Sequence, residues 1–96
     1  MPDLPPGPDP ASVRIVVLEP AAETSLRRYR KELEGFDEVY AAVAATLSTD
    51  PGEGWNTAGG YFEYHLAMKT VPAVRAVYSF DDKEVVIRGL DAWPPT

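Results

Sequence analysis

The sequence predicts an α+β domain of two layers, with two helices packed on one face of a mainly antiparallel four-stranded sheet in the order β-α-α-β-β-β. Three observations carry that expectation. First, residues 61–93 alternate as strands do: Phe62, Tyr64, Leu66 and Met68 fall on one face, with Glu63, His65 and Ala67 on the other. The same period returns in Val74, Ala76, Tyr78 and Phe80 against Arg75, Val77 and Ser79. Second, residues 85–90 are apolar at nearly every position, the pattern of an inner strand covered on both sides. Third, the stretch after Pro20 changes to spacings of three and four, the period of a helix face.

Each element follows from local chemistry. Residues 1–11 hold half of the ten prolines, together with Gly7, Asp3 and Asp9, and predict a solvated tail rather than regular structure. The spacing of Pro2, Pro5 and Pro8 also fits a polyproline II ligand. The domain is expected over residues 12–93, with a short second tail over 94–96. Residues 12–18 (SVRIVVL) are β-branched and predict the first strand. Ala22, Leu26, Tyr29 and Leu33 then line one helix face, with Pro20 in its first turn and Gly35 at its stop. Asp37 is the expected N-cap of a second helix whose apolar face is Tyr40, Val43, Ala44 and Leu47. Residues 50–52 (Asp-Pro-Gly) end it. A glycine-rich stretch, residues 52–60, leads into a three-stranded meander, with Trp55 as its one large apolar group. Turns are expected at residues 69–72, where Pro72 donates no ladder hydrogen bond, and at residues 81–83. Leu26, Tyr29, Leu33, Val43 and Leu47 should bury against Val16, Tyr64, Tyr78 and Ile87, leaving the second sheet face open to solvent or a partner.

Composition narrows the function classes. Ninety-six residues suit one domain with one core, and 45% hydrophobic with 25% charged residues describes a globular chain, not a disordered one. With no cysteine there is no disulfide framework, thiolate nucleophile or zinc–thiolate site, and no cofactor is expected. No apolar run approaches a membrane span and no signal-peptide pattern opens the chain, so a cytoplasmic location is expected. The net charge of −6 is the wrong sign for a nucleic-acid binder, whose affinity comes mostly from phosphate contacts. Dinucleotide and phosphate loops, serine triads and metal-ligand clusters are absent from the sequence pattern.

The segments Phe62-Glu63-Tyr64-His65, Val74-Arg75-Ala76-Val77-Tyr78-Ser79-Phe80-Asp81-Asp82 and Val85-Val86-Ile87-Arg88-Gly89-Leu90, in a short β-α-α-β-β-β chain, resemble the RelE/ParE superfamily of bacterial type II toxins, in particular its HigB-like or RelE-like branch. The resemblance covers residues 12–93 in element order and residues 62–90 in motif. It implies a toxin component neutralised by an antitoxin protein. The toxin would act either as an endoribonuclease on mRNA at the ribosome or by binding a protein target such as DNA gyrase. The same resemblance makes Arg75, His65 and Arg88 the candidate catalytic residues. Arg75 matches the family's middle-strand arginine, and His65 stands where an arginine or lysine is usual, with the capacity to transfer a proton. Ala67 offers no second basic group. After Gly89-Leu90 the family's basic ending is replaced by Asp91-Ala92-Trp93-Pro94-Pro95.

Each of these residues also has a plain structural reading. Arg75 can lie along the sheet and pair with Glu63, His65 can be a surface hydrogen-bonding residue, and Arg88 can pair with Asp91 or Glu84. The cluster Arg27, Arg28, Arg30 and Lys31 alternates with Glu23, Glu32 and Glu34 at helical spacing, which describes a salt-bridged solvated face. Tyr61, Tyr64 and Tyr78 read as sheet aromatics rather than base-stacking platforms. The alternative to a toxin is therefore a non-catalytic protein-interaction module that keeps the fold and uses its open face. An uncovered edge strand, with Trp55 and Trp93 as large anchors, further predicts a homodimer in the absence of a partner.

Overall fold

A computed structural model of the chain describes residues 13–94; the proline-rich segment 1–11 lies outside the described residues. Strand β1 (Ile15–Leu18) leads into helix α1 (Pro20–Glu32) and helix α2 (Phe36–Thr49). A 3₁₀ turn over Pro51–Glu53 precedes the two-residue strand β2 (Trp55–Asn56), and a second over Ala58–Gly60 precedes β3 (Phe62–Met68), β4 (Val71–Phe80) and β5 (Glu84–Trp93). The sheet order is β1-β5-β4-β3-β2.

The two-layer α+β class stands, but the sheet differs from expectation. It has five strands rather than four, and it is mixed: the β2–β3, β3–β4 and β4–β5 pairings are antiparallel as expected, but β1 runs parallel to β5, pairing Ile15 with Glu84 and Leu18 with Ile87. Nothing local in residues 12–18 sets that direction; it follows from where α1 and α2 return the chain. Strand β2, antiparallel to β3 through Trp55–Glu63 and Asn56–Phe62, is too short to carry a period-two signal.

Burial alternates cleanly along β4. Pro72, Val74, Ala76 and Tyr78 are buried, while Ala73, Arg75, Val77 and Ser79 are half-exposed on the opposite face. The buried side meets both helices in one core: Ala22, Leu26 and Tyr29 from α1, Phe36, Val39, Val43 and Leu47 from α2, and Val85, Ile87 and Leu90 from β5. Leu33, Val16 and Tyr64 are partly buried at its margin. Strand β5 is interior to the sheet but covered on one face only, since Val86 and Gly89 are half-exposed while Val85 and Ile87 are buried. Its long apolar run is not a sign of a second covering layer: Val86 lies half-exposed on the open face, and a bulge, in which Val77 pairs with Gly89 and Tyr78 with Ile87 to leave Arg88 as the extra residue, returns Leu90 to the core.

Helix α2 begins two residues earlier than its sequence suggests, at Phe36, and Asp37 is not its cap. Gly35 is the N-cap, at φ 83°, a left-handed conformation that glycine adopts without the Cβ clash. Asp37 instead accepts a hydrogen bond from Arg30 Nε at 2.6 Å. On α1 the basic cluster is salt-bridged as expected, with Arg27 to Glu23 at 2.6 Å and Arg28 to Glu32 at 4.0 Å. Pro72 sits inside β4 rather than in the turn, at a second bulge where Met68 pairs with Val71 and Leu66 with Val74.

Asp81 closes the β4–β5 hairpin. Its Oδ1 accepts the backbone N–H groups of Lys83 and Glu84 at 2.7 and 2.8 Å. Those two bonds favour the charged carboxyl and hold its pKa below the ordinary aspartate value. The unfolded chain therefore takes up this proton first as pH falls, so the contribution is present above the ordinary aspartate pKa and is lost as pH drops through the folded value. Urea unfolding across the acid range should show that loss, and Asp81→Asn should flatten it.

Tyr78 ties the sheet to the loop after α2. Its hydroxyl donates to the Pro51 carbonyl at 2.5 Å, and its ring packs on Phe62 at 5.8 Å between centroids. Burial holds the hydroxyl protonated, above its ordinary pKa. Tyr78→Phe leaves the Pro51 carbonyl without this donor and should cost about 1–2 kcal/mol in denaturant unfolding.

Candidate functional site on the open sheet face

The face turned away from the helices carries two polar networks. In the first, His65 on β3 and Arg75 on β4 are direct cross-strand partners, and Arg75 is paired on its other side with Asp91 of β5. Arg75 donates to Asp91 Oδ2 from Nη2 at 2.5 Å and from Nε at 3.2 Å. Its Nη1 lies 3.9 Å from Glu63 Oε1, the same oxygen that sits 3.1 Å from His65 Nε2. The hydrogen bond to Asp91 raises the pKa of the guanidinium further above its already high ordinary value, so Arg75 stays charged. Two indoles bound the network: Trp55 is tilted against His65 at 4.6 Å between centroids, and the Arg75 guanidinium lies 5.8 Å from the Trp93 ring centre.

The second network centres on Arg88. Its guanidinium is paired with Glu19 at the end of β1, and its Nε donates to Ser79 Oγ at 3.2 Å. It also lies over the Tyr61 ring at 5.3 Å. The structure thus brings His65 and Arg75 together and places Arg88 in a separate cluster. The Val77–Gly89 pair separates the two along β4 and β5.

Five side chains of the site escaped sequence reasoning in these roles: Asp91 as the main partner of Arg75, Glu19 and Ser79 as partners of Arg88, and Trp55 and Trp93 as ring contacts. The bulge explains Asp91 and Trp93. Strict alternation from Val85 and Ile87 would place residue 91 on the helix side. The extra residue at Arg88 inverts the phase, so Leu90 and Ala92 turn to the core while Asp91 and Trp93 join the open face. The signal was present as the three-residue step from Ile87 to Leu90. Glu19 was not legible, because it reaches Arg88 only through the parallel β1–β5 pairing.

Chemically, the face offers Arg75 and Arg88 against Glu63, Asp91 and Glu19, two fixed cations to three carboxylates. Both guanidiniums are engaged by carboxylates of their own chain rather than turned alone towards solvent. Apolar side chains surround the networks: Ile15 is 71% exposed, Trp55 56%, Trp93 49% and Val17 39%. The face is shallow, and no pocket opens among the described residues. None of the described helices is long and apolar enough to cross a membrane. No family model matches the chain, and no curated protein is similar to it at a significant level.

Proposed function

We propose that this chain is a non-catalytic protein-interaction module built on a RelE/ParE-like arrangement, with the open sheet face as its binding surface. The observation that carries this reading is the pairing of every basic candidate. Arg75 is held by Asp91 and Glu63, His65 by Glu63, and Arg88 by Glu19. A phosphate approaching Arg75 or Arg88 would have to displace a carboxylate of the same chain and then sit beside it. A protein surface need not displace these carboxylates, and exposed indoles beside arginines are the side chains enriched where proteins meet.

The toxin reading survives in one form, the one in which the target and the antitoxin are both proteins and neither requires RNA chemistry. The test is a photo-crosslinking residue placed at Val17 or at Trp93 in cells, with Lys31 on the helix surface as control. Adducts to protein from the two sheet positions, and not from Lys31, support the reading. Adducts to RNA from the sheet positions contradict it.

A further inference from the structure

We infer that the chain forms a two-fold dimer by antiparallel pairing of the outer edge of β3 with the same edge of a second copy, centred on Leu66. This inference stands apart from the proposed function, since it uses the edge of the sheet and not its face.

Strand β2 covers the outer edge of β3 only at Phe62 and Glu63, so Tyr64–Met68 has β4 on its inner side and no strand on its outer side among the described residues. The direction of the backbone groups follows from the loop contacts. Thr57 N donates to the Tyr61 carbonyl at 2.7 Å, and a Cβ on Gly54 would lie 2.5 Å from the Glu63 carbonyl oxygen. Residues 61 and 63 therefore point their peptide groups outward, and alternation continues that direction to His65 and Ala67. Each of these two residues presents one N–H and one C=O at an open edge. The bulge near Pro72 lies on β4, since three steps from Val71 to Val74 oppose two from Leu66 to Met68, so β3 itself stays regular.

A two-fold axis at Leu66 sets residue 65 of one copy opposite residue 67 of the other. These two pairs exchange four hydrogen bonds and satisfy all of the open edge groups on both copies. The side chains fit the same register. Leu66 meets its own copy and Tyr64 meets Met68, which is 51% exposed, on the helix side. His65 meets Ala67 on the open side. No like charges oppose one another in the paired segment. At each end the incoming strand leaves at the Lys69-Thr70 turn, where Trp55 and Glu63 begin, so a cation arrives beside an indole and a carboxylate. Natural edges are normally blunted by lysine or proline, and Tyr-His-Leu-Ala-Met contains neither. The net charge of −6 per chain opposes association only over a Debye length of about 8 Å at physiological salt.

Sedimentation equilibrium from micromolar to millimolar protein should show a monomer–dimer equilibrium. Ala67→Pro removes an outward N–H that β4 does not use, and Ala67→Lys places a charge on the edge. Either change should raise the dissociation constant at least about tenfold, with circular dichroism unchanged. Because the chain has no cysteine, Leu66→Cys supplies a thiol whose only partner is its own copy, and mild oxidation should crosslink it. Should Ala67→Pro unfold the protein, Ala67→Lys and the Leu66→Cys crosslink decide the matter. A monomer throughout, a dimer insensitive to Ala67→Lys, or crosslinking through Ile15→Cys in place of Leu66→Cys would each overturn the inference.

Discussion

Replacing Phe36 with alanine should lower the stability of the domain by about 3–5 kcal/mol, among the largest effects expected of a single truncation in this fold. Phe36 is fully buried at the first turn of α2, where its ring packs against Tyr29 of α1 at 5.6 Å and Tyr40 at 6.0 Å between centroids. It is the side chain that joins the two helices above the sheet. Truncation would leave a cavity that neither helix can close, because Gly35 fixes the entry of α2 in a left-handed conformation. Chemical denaturation reads the loss directly. A change below about 1 kcal/mol would mean that the helices pack elsewhere.

Gly54→Ala should cost up to about 3 kcal/mol and move the Trp55 side of the open face. A Cβ at this position would lie 2.3 Å from the Tyr78 hydroxyl and 2.5 Å from the Glu63 carbonyl oxygen. The second of these atoms is backbone of β3, which β4 holds along its other side, so it cannot swing away as a flexible side chain would. The substitution therefore pushes β2 outward or breaks the Tyr78–Pro51 hydrogen bond, and both displace Trp55 from His65. Trp55 fluorescence and the chemical shifts of His65 should change together. Unaltered shifts at His65 would show that the loop does not couple to the face.

The helices and the meander were legible because their apolar residues recur at the periods that burial against one layer demands. Leu26, Tyr29, Val43 and Leu47 are all buried as expected. Phe36 was missed because Asp37 resembles a cap, while Gly35 supplies the turn without any side-chain bond, and Val39 was missed because the apolar face was read through Tyr40 and Ala44. The direction of β1 was not legible, since a short apolar edge strand pairs equally well by pattern in either orientation. The candidate site was half legible. Alternation put His65 and Arg75 on one face with Glu63, but the pairing of Arg75 with Asp91 depends on a phase inversion at Arg88 that a single extra residue produces.

The carboxylate pairing also separates this face from a cationic one of the same shape. Surface ion pairs contribute little to stability, so Asp91, Glu63 and Glu19 matter here chiefly for the potential they set. The measurement that bears most directly on the central claim is cleavage of mRNA by the purified protein, with and without ribosomes, beside its Arg75→Ala and His65→Ala variants. The expected result is no cleavage above background in any of the three proteins. Cleavage by the unaltered chain that disappears in Arg75→Ala and His65→Ala would contradict it.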